Sequence, residues 1–311
     1  NISEDSFSSY TNKKWKLKNF NEREVELICQ KFDFDFLSAK LFNIRNIGID
    51  EIQSYINPSL KDHMPDPNTL KDMDIAVERA YQAILKKENI AVFGDYDVDG
   101  STSSSIFINY FSHIGIEINF HIPDRFTEGY GPNVTIFQKF KDENISVVFT
   151  LDCGTMSFKE MDFAKQSNLD VVIIDHHQPE INLPNAFAMI NPNRLDDTSN
   201  LNHLAAVGVT FMFLTSLNRK LRTSNWFIEN NIKEPKLISY LDIVALGTVC
   251  DVVPLKGLNR LFVLKGLDVM NKKQNFGINA LIEKSSIKSK ISPYDLGFKL
   301  GPRINAAGRL G

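Results

Sequence analysis

Cysteine is scarce in this chain. The three present, Cys29, Cys153 and Cys250, are far apart and form no C-x-x-C pair. That excludes a disulfide framework and fits a reducing compartment, here the cytoplasm. A surplus of positive charge is missing too. The formal net charge is −3, so the chain is not held to nucleic acid by overall charge, although a local basic patch or a metal-focused site is compatible with it. No apolar run approaches the length of a membrane span, and no signal peptide opens the chain. Internal repeats and low-complexity tracts are absent. There is no initiator Met, and the chain stops at Gly311 inside a motif-like segment, which reads as a fragment of something longer.

What is present suffices for a sizeable core. The chain has 311 residues, 43% of them hydrophobic, which suggests two domains or one large one. Residues 1–75 are polar, with a helical spacing over 21–32. Lys13, Lys14, Lys16 and Lys18 flank Trp15; such a cluster suits a nucleic-acid backbone, but a solvated surface is the simpler reading. After Pro65 and Pro67 a helix is expected over 72–87. Strand and helix then alternate. Strands are expected at 90–93, 117–122, 146–151 and 170–174. Helices are expected at 101–111, 134–141 and 157–166. Continuous apolar strands between helices predict an α/β fold with a mainly parallel sheet covered on both faces. Residues 178–203 read as loop. Helices follow at 204–220, 235–250 and 258–270, and 271–300 reads as a polar, lysine-bearing stretch.

The chemistry collects where the expected strands end. The stretch Gly94-Asp95-Tyr96-Asp97-Val98-Asp99-Gly100 places three carboxylates at alternate positions after an apolar run. Crowded anions persist when a cation neutralises them. An EF-hand is a poor match, because the twelfth position, which needs Glu, is Ile106 or Ile108. The next strand ends at Asp152, beside Cys153, which reads as a small packing residue. The third ends at Asp175, followed by His176 and His177. In a parallel sheet these ends share one edge, where ligands bind. Asp251, after the 235–250 helix, is a further candidate; taken alone it reads as a capping or salt-bridged acid.

Mixed Asp and His ligands without thiolate suit Mn²⁺ best and Mg²⁺ next, whereas structural zinc usually recruits cysteine. So acidic a cluster suggests two ions bridged by one carboxylate, a standard device for phosphoester hydrolysis. Arg125, Arg303 and Arg309 could grip phosphate bidentately, and the glycines around them permit close backbone approach to a ligand. Each arginine taken singly reads as an ordinary surface residue.

The ordered set GDYDVDG (94–100), LDCGT (151–155), IDHH (174–177) and LGTVCDVVPL (246–255) resembles the DHH phosphoesterases. With PDRFTEGYG (123–131), INPNR (190–194), LAAVGVTF (204–211) and GPRINAAGRLG (301–311), it is similar to the RecJ-type exonucleases of that family from about residue 60 to the end. The resemblance implies a metal-dependent 5′→3′ exonuclease. Such an enzyme acts on single-stranded DNA, releases mononucleotides, and serves repair and recombination, with a single-strand-binding protein or a helicase as the implied partner. It implies Asp97 and Asp99 as ligands of the first and second ion and Asp152 as the bridge. His176 and Asp251 would complete the second site. His177 would face the scissile phosphate as acid or charge stabiliser. Asp95 and Asp175 would orient the ligands and imidazoles, Asp95 being a candidate ligand as well. Arg125, Arg303, Asn305 and Arg309 would contact substrate phosphates. The implied organisation is an N-terminal region (1–75), a DHH domain (76–255) and a helical connector (256–311) leading to a DHHA1 domain and an oligonucleotide-binding fold. Two other readings stand beside it. One is another DHH enzyme, a pyrophosphatase or a small-oligonucleotide or cyclic-dinucleotide phosphodiesterase. The other is a non-catalytic DNA-binding scaffold.

Overall fold

The computed structural model describes residues 10–13 and 16–310, apart from the side chains of residues 309 and 310. Lys14 and Trp15, part of the basic-aromatic cluster, lie outside the described residues; Lys16 and Lys18 are exposed. The chain divides into two compact units, residues 1–64 and 65–311.

The first unit is helical. Its helices are α1 (Glu22–Phe32), α2 (Phe36–Ile44), α3 (Ile52–Ile56) and α4 (Leu60–His63). Asn21 and Asp35 cap α1 and α2 by accepting from the backbone N–H groups of Glu24 and Ser38. The core is Val25, Ile28, Ala39 and Ile52. Around it Phe34 stacks with Phe32 and Phe42, at ring separations of 5.8 and 5.6 Å.

The second unit is built on five parallel strands, β1 (Asn89–Gly94), β2 (Asn119–His121), β3 (Ile145–Leu151), β4 (Asp170–Ile174) and β5 (Ala188–Ile190), in the order β2-β1-β3-β4-β5. Before and between them run α5 (Met73–Lys86), α6 (Val98–His113), α7 (Val134–Asp142) and α8 (Phe158–Gln166). After β5 come α9 (Ala206–Thr223), α10 (Trp226–Glu229), α11 (Leu241–Cys250), α12 (Gly257–Met270), α13 (Phe276–Lys284), α14 (Pro293–Asp295) and α15 (Gly301–Leu310), the last entered through a π-helical turn, Leu296–Leu300.

Strand side chains alternate between faces, and both faces are covered. Ala91, Phe93, Val148, Val171 and Ile173 meet Phe137 and Phe140 of α7 and Met161 and Ala164 of α8. On the opposite face Phe149 of β3 packs against Phe107 of α6 and Phe213 of α9, with ring centroids 4.8 to 5.9 Å apart. Burial on both faces explains why these strands read as unbroken apolar runs. Among the described residues, no helix is long and apolar enough to cross a membrane.

Several elements differ from expectation. The unit boundary falls at 64/65 rather than near 75. Asp66 and Asn68 accept hydrogen bonds from Arg219, and Asn68 another from Ser216, which ties this segment to α9. The loop expected over 178–203 contains β5, an edge strand of only three residues pairing with β4. The polar stretch 271–300 contains α13 and α14, and the glycine-rich terminal segment is the helix α15.

Candidate metal centre

The sheet turns direction between β1 and β3, since β2 lies on one side of β1 and β3 to β5 on the other. Such a switch point opens a crevice at the carboxyl ends of the strands. Three acids stand there, each one residue beyond its strand or its last pairing. The N–H of Asp95 donates to Leu151 O (3.1 Å), that of Asp152 to Ile174 O (3.0 Å), and that of Asp175 to Ile190 O (3.1 Å). The ladder thus continues one step past each strand and fixes all three backbones.

Asp97 is the N-cap of α6, accepting from Gly100 N at 3.0 Å. Asp99 lies in the first turn of α6, 1% exposed. Its two carboxylate oxygens accept from Ala206 N (2.7 Å) and Val207 N (2.9 Å) at the start of α9, where the helix end favours negative charge. Gly100 lets α6 come this close: a Cβ there would stand 2.5 Å from the Asp95 carbonyl oxygen. Asp152 holds a left-handed backbone, φ 63°, which Asp tolerates better than most residues. Asp251 closes α11 and brings a fourth segment of chain to the crevice.

His176 lies at the centre. Its Nε2 is 3.4 Å from Asp152, 3.5 Å from Asp251 and 3.7 Å from Asp99. Burial holds the imidazole below its ordinary pKa, so Nε2 offers a lone pair to a cation. Two ligands each about 2.1 Å from one ion lie roughly 3 to 4 Å apart. The observed separations are therefore long for hydrogen bonds and right for donors around a shared cation. Ligand atoms of Asp99, His176 and Asp251 form one group within 4.8 Å of one another, and those of Asp95, Asp97 and Asp152 form another. Asp152, His176 and His177 form a third, and Asp152 Oδ1 lies 3.4 Å from His176 Nε2, so Asp152 stands between the two.

Electrostatics points the same way. Burial and the charge of Asp97 push Asp95 up to about 6, and the same two causes push Asp251 up to about 7. Burial raises Asp99 and Asp152 well above the ordinary carboxylate range, and their acidic neighbours add to it. Joint ionisation of these crowded acids is disfavoured, and a cation bound among them would relieve it. Four buried atoms here, Asp95 Oδ1, Asp152 Oδ1, His176 Nε2 and Asp251 Oδ2, have no hydrogen-bond partner. Buried polar atoms normally have one. The orphaned atoms belong to the expected ligands, and the donor set of carboxylates with one imidazole fits Mn²⁺ or Mg²⁺.

His177 is half exposed and its Nδ1 lies 2.7 Å from Asp175 Oδ1. That hydrogen bond raises the imidazole to about 9. Burial alone would raise Asp175, but bonds from His177 and Thr155 hold it at about 2. The Tyr130 hydroxyl donates to the Asp152 carbonyl at 3.2 Å, and its ring meets His177 edge-on at 6.0 Å. Tyr130 completes the wall of the site, a role that the sequence alone does not single out; its place in EGYG is the available signal. Cys153 is fully buried in the core beneath the site.

The expected phosphate contacts are placed unevenly. Arg125 is exposed with its guanidinium 5.2 Å from the ring of Tyr96, the residue between Asp95 and Asp97 in sequence. Tyr96 in turn faces Tyr130 at 6.5 Å, so Arg125 sits at the rim of the cluster. Arg303 is exposed on α15 and donates to Lys299 O, one turn earlier. Asn305 is half buried on the same helix. A Cβ on Gly308 would lie 3.5 Å from Tyr96 O, which places α15 against the acidic loop. The Arg309 side chain lies outside the described residues.

Residues 89–248 match the family model described as "DHH family, N-terminal domain". Over 244 residues the chain is 41% identical to the single-stranded-DNA-specific exonuclease RecJ of Salmonella typhimurium, covering 78% of this chain and 42% of that protein. Over 298 residues it is 32% identical to the RecJ of Bacillus subtilis, covering 96% and 36%. The crystal structure of RecJ in complex with Mn²⁺ from Thermus thermophilus superposes with a TM-score of 0.74 at 25% identity, covering 93% of this chain and 39% of that one. The chain therefore spans well under half the length of these relatives. With the family model matching half its residues, in the segment that carries all but one of the clustered acids and both histidines, the chain belongs to the DHH family.

Proposed function

We propose that the chain carries the catalytic centre of a metal-dependent exonuclease that degrades single-stranded DNA from the 5′ end to mononucleotides. The observation that carries this reading is the set of ligand groups around Asp152 and His176, in which Asp95 Oδ1, Asp152 Oδ1, His176 Nε2 and Asp251 Oδ2 are buried without a hydrogen-bond partner. Asp95, Asp97 and Asp152 would hold one Mn²⁺ or Mg²⁺ ion, and Asp99, Asp152, His176 and Asp251 a second. Bound there, the ions supply a nucleophilic water and neutralise charge on the phosphoryl oxygens. Asp175 keeps the Nδ1 of His177 engaged, so that Nε2 is the nitrogen presented to the scissile phosphate as acid or charge stabiliser. Arg125, Arg303, Asn305 and Arg309 would hold the phosphates that flank it. The RecJ names of the relatives and the Mn²⁺ complex support this substrate and metal class. On this reading the protein works in the cytoplasm in repair and recombination, on strands exposed by a helicase or released by a single-strand-binding protein.

The test is an exonuclease assay on 5′-labelled single strands, with Mn²⁺ or Mg²⁺, on this chain and a C-terminally extended one. Dinucleotides and pyrophosphate serve as competing substrates. Metal-dependent release of mononucleotides, abolished by Asp152→Ala, is the expected result. Preference for pyrophosphate or dinucleotides, or undiminished cleavage by Asp152→Ala, would sink the reading.

A further inference from the structure

The loop that follows β5, Asn191 to Arg194, holds two asparagines against the histidine pair. Asn191 is fully buried. Its Nδ2 donates to Thr155 Oγ1 at 3.0 Å and to the His177 carbonyl at 2.8 Å. Its Oδ1 accepts from Asn193 N at 2.9 Å. A backbone N–H can only donate, so the amide orientation is settled by the network. Asn193 Nδ2 donates in turn to the His176 carbonyl.

Thr155 is also buried and forms the next link. Its hydroxyl accepts from Asn191, so its single proton goes to Asp175 Oδ2, 2.6 Å away. The backbone N–H of Thr155 donates to the same oxygen at 3.2 Å. Asp175 Oδ1 receives His176 N, His177 N and His177 Nδ1 at 2.7, 3.2 and 2.7 Å. Every donor around Asp175 is thus aimed at it, and the carboxylate is left no proton to give. The His177 ring must meet it with Nδ1–H.

We propose that Asn191 and Thr155 are positioning residues that fix the orientation of the His177 ring and hold its Nδ1–H on Asp175. Asn191 clamps the His177 carbonyl directly. It fixes the ring through Thr155 and Asp175, so that Nε2 always faces the reacting phosphate. This rests on the phosphodiesterase reading for its consequence in catalysis, but not for the hydrogen-bond chain itself.

Thr155→Val keeps the side-chain shape and removes the link; Thr155→Ser keeps the link. Asn191→Asp keeps the acceptor for Asn193 and removes both donors. Thr155→Val and Asn191→Asp should lower kcat on single-stranded DNA about 10- to 100-fold, the usual cost of losing a group that orients a ligand or base. KM and Mn²⁺ affinity by calorimetry should stay within about twofold. Thr155→Ser should recover most of the activity. In ¹⁵N-histidine spectra of the Mg²⁺ form, the protected His177 Nδ1–H signal should be present in wild type and Thr155→Ser and exchange away in Thr155→Val. Should Asn191→Asp fail to fold, the Val and Ser pair decides alone. Unchanged kcat and an unchanged Nδ1–H signal in Thr155→Val would overturn the proposal. So would a fall in kcat matched by loss of Mn²⁺ binding, which would place the effect at the metal ligands. If wild type hydrolyses no phosphodiester, the functional reading fails, and the Nδ1–H signal still decides the relay.

Discussion

The Nε2 of His176 and the Oδ1 of Asp152 face each other across 3.4 Å, both buried, and neither makes a hydrogen bond. Two such atoms left side by side in the interior are costly unless something positive lies between them.

Asp152→Asn should therefore have opposite effects on metal and on fold. The amide keeps the shape and tolerates the left-handed backbone, so the sheet edge is retained. One buried charge is gone, and the metal-free protein should melt at the same or a higher temperature. Mn²⁺ titration calorimetry should lose both sites of the wild type, or retain only one weakened site. A lower melting temperature with two intact sites would contradict the assignment of Asp152 as bridge.

The raised acids set the pH behaviour of the metal-free protein. Asp95 at about 6 and Asp251 at about 7 hold protons in the folded state that an unfolded carboxylate releases near 4. Their contribution is stabilising below that ordinary value and is lost as pH rises through 6 to 7. The melting temperature of the metal-free chain should fall between pH 5 and pH 8. Saturating Mn²⁺ should remove or reverse the trend, because the ion binds the ionised acids and releases their protons. Parallel melting curves over that range at zero and saturating Mn²⁺ check both parts. Asp175 works in the other direction: held at about 2, its contribution persists until strongly acid conditions.

Gly100→Ala should damage the site without touching a ligand. The new methyl would meet Asp95 O at 2.5 Å and Asp95 Cβ at 2.6 Å. Relief requires α6 to draw back from β1, taking Asp97 and Asp99 with it. Overpacking of this kind costs about 1–3 kcal/mol. Denaturant unfolding should register that loss, and Mn²⁺ affinity should fall as well. An unchanged affinity would mean that the acids do not depend on this close approach.

On the functional proposal, Arg125→Ala and Arg303→Ala should weaken binding of single strands at all sequences alike. Each lost phosphate contact should flatten the plot of log K against log salt by about 0.7. Fluorescence anisotropy with a labelled oligonucleotide at several salt concentrations measures both. A salt slope unaltered in either variant would remove that arginine from the substrate path.

Much of this arrangement is legible in the sequence because strand ends and acids coincide. The apolar runs before Asp95, Asp152 and Asp175 are long enough to be recognised as buried strands, and parallel pairing then brings their ends together. Asp251 is less legible: it ends a helix rather than a strand, so no pairing register carries it to the sheet edge. β5 escapes because three residues carry no period, and the prolines on either side read as loop. In α15 the sequence misleads through Pro302 and the glycines. Proline is at home in a first helical turn. Gly301 is there for contact, since a Cβ would stand 2.4 Å from Cys250 Sγ. Asn191 and Thr155 lie within recognisable motifs, but a side chain that acts on its neighbour's hydroxyl leaves no mark in spacing.

The backbone bonds by which Asp95, Asp152 and Asp175 each lean on the adjoining strand make these acids mutually dependent. Neighbouring side chains point to opposite sides of a sheet, so a slip of one place would exchange an acid for a hydrocarbon at the rim. Misaligned pairings would then lose the capacity to hold divalent cations, and added cation would enrich the correctly aligned population during refolding.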